Sequence, residues 1–171
     1  MSEIVNRVAQ SAIVSLDLEE IYPKEERMVF DLKPFLFQEL VLREKDFRAA
    51  LKELDWEIYQ DKWVAILCSA DAIVPNWAYM LVATYLTPIA KGYAIGGLNE
   101  LEVMISEKCL ADLDLDLFND KPVIVKGCSD FPIPLFAYGK IVSLVQSRAK
   151  TIMYGEPCST VPLYKNQSLD F

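Results

Sequence analysis

Asp61-Lys62-Trp63-Val64-Ala65-Ile66-Leu67-Cys68-Ser69 and Asp120-Lys121-Pro122-Val123-Ile124-Val125-Lys126-Gly127-Cys128-Ser129 are two versions of one stretch, and their likeness decides the fold. The correspondence continues outward. Asp71, Pro75, Ala78-Tyr79, Ala90-Lys91 and Gly96 of the first copy return as Asp130, Pro134, Ala137-Tyr138, Ala149-Lys150 and Gly155 of the second, with one residue inserted before the cysteine and one removed after the serine. Residues 61–97 and 120–155 are therefore copies of a duplicated unit.

Each copy opens on a continuous apolar run of strand length, as expected for a strand covered on both faces. Pro75 and Pro134 suit the first turn of a helix, where a fixed φ is an advantage and the missing donor is not needed. Residues 76–89 and 134–148 thus read as helices, and 92–95 and 151–154 as the strands that follow. Between the copies, residues 98–110 read as a helix carrying Leu101, Met104, Ile105 and Cys109, with Asn99 or a neighbouring backbone group as its cap. Upstream, residues 11–18 and 28–32 read as strands and 43–54 as an amphipathic helix, while 35–42 satisfies either period. Residues 164–171 read as a tail.

Strands alternating with helices predict a parallel sheet with helices on its faces. The expectation is one domain over residues 1–171: a three-layer α/β fold, mostly parallel, built on the duplicated βαβ unit, with residues 1–58 as an N-terminal β/α part. At 171 residues the chain is long enough for its own core, and 53% hydrophobic residues make disorder untenable.

In a parallel sheet all strands end on one edge, where ligands of open α/β folds usually bind. Cys68, Cys128 and Cys158 each follow such an end, so the sequence predicts three thiols on one rim. Neighbouring strands lie ~4.8 Å apart, which would bring such thiols within reach of one ion or substrate.

Composition narrows the chemistry. A net charge of −8 without clustered Lys and Arg argues against nucleic acid and against an anionic membrane surface. Residues 72–90 carry no charge, but the second copy places Lys140 and Arg148 at equivalent positions, so the shared fold does not require a bilayer. The polar start and interrupted apolar run at the N-terminus are not a signal peptide, which points to the cytoplasm and to reduced thiols. The chain has no histidine, which removes Ser-His-Asp and Cys-His pairs and any imidazole ligand.

Three functions remain open. In the first, Cys68, Cys128 and Cys158 bind zinc or an iron–sulfur cluster, with Asp71, Asp130 or Glu156 as a fourth ligand. In the second, Cys158 in Gly155-Glu156-Pro157-Cys158-Ser159-Thr160 is a nucleophile or sulfur acceptor with Glu156 as its base. In the third the chain is a non-catalytic scaffold or interaction protein, its cysteines packing as small apolar residues and its aspartates capping loops. Cys109, mid-helix on an apolar face, reads as structural. Asp112-x-Asp114-x-Asp116 is not a calcium loop, since Leu117 and Val123 stand where glycine and glutamate are required.

With Leu42 to Phe47, Cys68 to Ile73, Trp77-Ala78-Tyr79, Lys126-Gly127-Cys128 and Gly155 to Lys165 in view, the chain resembles an uncharacterised family of Bacteroidetes proteins, a domain of unknown function, from about residue 4 to residue 165. The resemblance implies no activity. It implies an association with iron–sulfur cluster assembly, and partners drawn from that process.

Overall fold

The computed structural model describes residues 13–127, 133–156 and 158–166. The protein is a mixed α/β structure of helices and open, mostly parallel sheets. It divides into two compact units: residues up to Tyr22 with those from Ser106 onward form unit 1, and Pro23–Ile105 form unit 2.

Unit 2 is built on β2 (Arg27–Asp31), β5 (Trp63–Leu67) and β6 (Gly92–Ile95), parallel and in the order β2-β5-β6. Between β2 and β5 the chain makes a small hairpin of β3 (Leu36–Phe37) and β4 (Val41–Leu42), then α2 (Glu44–Glu53). The ambiguous stretch 35–42 is this hairpin, turned by Gln38 and Glu39 at positive φ. Helix α3 (Asn76–Leu86) connects β5 to β6. Val64 and Ile66 point to one face of the sheet and pack with Phe47 and Leu51 of α2 and Ala78, Val82 and Leu86 of α3. Trp63, of opposite parity, lies against Gly92 on the other face, where Met104 of α4 (Leu98–Ala111) also reaches. Arg27 and Glu102 tie α4 to β2 at 2.9 Å. Both faces of β5 are thus covered, as its unbroken apolar run requires.

Unit 1 repeats this plan. Its sheet, in the order β1-β7-β8-β9, has β1 (Val14–Asp17), β7 (Pro122–Lys126) and β8 (Thr151–Glu156) parallel and β9 (Ser159–Lys165) antiparallel. One turn of helix, α1 (Leu18–Ile21), follows β1, and α5 (Leu135–Val145) connects β7 to β8. Val123, Val125, Ala137, Ile141, Val145 and Ile152 form the centre of its core.

The duplication therefore contributes one copy to each sheet rather than two copies to one. The repeated Asp-Lys pairs are backbone devices: Asp61 and Asp120 both have φ in the left-handed region, which Asp tolerates better than most residues. In each copy that turn is bonded to the one after the following helix, Asp61 N–H to Ile89 O at 3.0 Å and Asp120 N–H to Arg148 O at 2.9 Å.

Three local expectations change. The start of α4 is closed by Glu100, whose carboxylate accepts the Gly97 N–H at 2.8 Å, and not by Asn99. The acidic linker contains a short 3-10 helix, Leu115–Phe118, that buries Phe118. Residues 159–160, read as part of an exit, and 164–165, read as the start of a tail, belong to one strand, β9, which pairs back on β8.

Candidate functional site

The C-terminal ends of parallel strands make one edge in each unit, and each edge begins with an aspartate. In unit 2, Asp31 closes β2 beside Leu67 at the end of β5. Its Oδ1 accepts the backbone N–H groups of Lys33 and Ser69, each at 2.9 Å, and its Oδ2 accepts the Ser69 hydroxyl at 2.5 Å. Burial opposes the charge, but these donors and the Lys33 ammonium outweigh it and hold the carboxyl below its ordinary pKa. Cys68, between Leu67 and Ser69, is half-buried against the unit 2 core and donates weakly to Ala70 O at 3.8 Å. Tyr79, in the first turn of α3, has its phenol pKa raised by burial and by the Cys68 and Asp31 charges near it. Asp71 is exposed in the loop beyond.

In unit 1, Asp17 closes β1 in the same way, its Oδ1 accepting the Glu19 N–H at 3.0 Å. There the edge is charged. Lys126, the last residue of β7, places Nζ 3.7 Å from Asp17 Oδ2 and 3.7 Å from Glu156 Oε2, so one ammonium bridges the carboxylates that end the strands on either side of it. Two tyrosines fix the residue after it. Tyr138 donates to Gly127 O at 3.2 Å, and the Tyr154 ring lies so close that a Cβ on Gly127 would collide with its hydroxyl. Tyr138 and Tyr154 meet edge to face at 6.1 Å. Cys158 is exposed in the turn joining β8 to β9.

Of the residues singled out from sequence, Cys158 and Glu156 come to the unit 1 edge, and Cys68 and Asp71 belong to unit 2. Cys128 and Asp130 lie outside the described residues. Among the described residues no three His, Cys, Asp or Glu side chains are arranged to hold a metal ion. Two shallow grooves lie elsewhere, one along Lys45, Arg48 and Lys52 of α2 and one over Thr151, Met153 and Leu163. Among the described residues no helix is long and apolar enough to cross a membrane.

Asp17, Asp31 and Lys126 were not among the expected site residues. A signal for the aspartates exists: Leu16-Asp17-Leu18 and Phe30-Asp31-Leu32 are the same pattern at the end of each first strand, with Leu18 and Leu32 buried. The pattern is too short to separate from chance until the strands are aligned in space.

No curated protein and no solved structure matches this chain. A family model described as "Protein of unknown function (DUF2480)" matches residues 2–166.

Proposed function

We infer a function for this chain, which belongs to the DUF2480 family of proteins of unknown function, from its thiols: it binds a soft metal ion or an iron–sulfur group at the strand ends of unit 1. The observation that carries this reading is the pairing of β7 with β8. In sequence Cys128 comes two residues after the end of β7, and Cys158 lies in the turn after β8, so the two thiols follow strands that pair in parallel. Glu156 ends β8, and Asp130 comes two residues after Cys128 in sequence, which adds oxygen donors to the sulfurs, of the kinds that zinc and iron–sulfur centres accept. The fit is conditional on Cys128 and Asp130, because the described residues alone hold no ligand set. Such a group would supply Lewis acidity or electron storage, and the Lys126 ammonium beside Glu156 would offset the charge of thiolate ligands. The resemblance to a Bacteroidetes family associated with iron–sulfur assembly agrees with this reading, and cytoplasmic residence and partners from that process belong to the same proposal.

Metal analysis of protein purified without added metal tests the reading. At least half an equivalent of zinc or iron is expected, lost in a Cys128→Ser/Cys158→Ser variant; less than about a tenth of an equivalent would overturn it.

A second reading is favoured by the exposure of Cys158. In it, Cys158 is the thiol of an enzyme or sulfur carrier and Glu156 assists its deprotonation. Faster alkylation of Cys158 by iodoacetamide than of a simple thiol at neutral pH is the expected result, and a rate no faster would sink it. A chain that fails both tests is left as a non-catalytic interaction protein.

A further inference from the structure

We propose that Asp31 is the positioning residue for the loop that follows Cys68: a carboxylate on β2 holds the exit of β5 closed, and breaking that hold exposes the Cys68 thiol. This goes beyond the function proposed above and stands whatever the thiols bind.

Three observations carry it. The ladder between β2 and β5 extends past the strands through Leu32 N–H to Leu67 O at 2.8 Å, so Asp31 sits level with the start of the loop. Asp31 then takes both donors of Ser69, the residue next to Cys68. Beyond Ser69, among the described residues, the loop to Pro75 is closed on itself by Ala72 N–H to Ala70 O at 2.9 Å, while Ile73 is 93% exposed. Asp31 therefore fastens the start of this loop to a neighbouring strand, while Val74 packs its far end against the core. Cys68 lies on the inner side of that tie, packed against the unit 2 core.

The device belongs to the repeated plan. Asp17 makes the same turn at the end of β1, to Glu19 N–H as Asp31 does to Lys33 N–H. The two edges differ in what the second oxygen meets, Ser69 in unit 2 and Lys126 in unit 1.

Alkylation of the folded full-length chain by iodoacetamide, read at each cysteine by mass spectrometry, tests the proposal. In Asp31→Ala the rate at Cys68 should rise roughly tenfold or more, since hydrogen bonds to a carboxylate are among the stronger ones and local opening limits access. Ser69→Ala removes the hydroxyl contact but leaves the backbone one, and should give a smaller rise at Cys68. Cys109 in α4 serves as the internal control and should keep its wild-type rate in Ser69→Ala. An unchanged Cys68 rate in both variants overturns the proposal. So does a parallel rise at Cys109 in Ser69→Ala, which would mean general loosening rather than release of one loop.

Discussion

Asp31 and Glu102 are carboxylates in opposite situations, and each predicts its own response to change. Asp31 keeps its charge through three donors, and its folded pKa lies below the ordinary value. A carboxylate depressed in the folded state stabilises the protein above its unfolded pKa, and that contribution disappears as pH falls through the folded pKa. The stability gap between wild type and Asp31→Asn should therefore be widest at neutral pH and close progressively below about pH 4. Urea midpoints measured down the pH series check this, and a gap that stays constant into acid would contradict it. Glu102 is deeper, its side chain 8% exposed against 15% for Arg27. Removing one partner strands the other charge, so Glu102→Ala should cost about 3 kcal/mol, while Arg27→Met/Glu102→Leu should recover much of the loss. Denaturant titration of the single and double variants decides whether the pair is structural in this sense.

At the scale of elements, the same glycine serves two exits. Gly96 and Gly155 both follow the repeated helix, at the end of the next strand, and both have φ in the left-handed region, +137° and +122°. After Gly96 the chain enters α4; after Gly155 it turns back as β9. A Cβ at Gly155 would lie 2.5 Å from Ser159 O, inside the turn that presents Cys158. Gly155→Ala should destabilise the protein by about 1–3 kcal/mol and loosen that turn. Gly139 is the counter-example within reach of the same experiment: it is exposed in the middle of α5, and a methyl group added there would meet nothing within 4 Å. Gly139→Ala should stabilise by about 0.5–1 kcal/mol through helix propensity alone. Thermal melts of the two variants should move in opposite directions.

At the scale of the whole molecule, unit 2 is continuous in sequence while unit 1 is split around it. The unit 2 core cluster is drawn from residues 28–93, and all three tryptophans of the chain, Trp56, Trp63 and Trp77, fall in that unit. A fragment of residues 23–105 should fold by itself and keep the blue-shifted tryptophan emission expected of buried Trp63, 2% exposed. Emission at the wavelength of unfolded chain would show that its core is not self-sufficient.

The sequence by itself determined the local structure: the duplicated strand and helix, the proline at each helix entry and the parallel pattern. These follow from backbone preference and hydrophobic period, which act over a few residues. Tertiary structure alone decided that the two copies enter different sheets. The apolar runs of β5 and β7 are interchangeable as sequence, and their membership is set by which first strand each pairs with. For β7 that strand is β1, separated from it along the chain by all of unit 2. The same long-range pairing put β5, which leads to Cys68, and β8, which leads to Cys158, in different sheets, and brought Asp31 to Ser69 and Asp17 to Lys126. No window of sequence contains both members of such a contact, because strand pairing joins residues by hydrogen bonds across space and not by order along the chain.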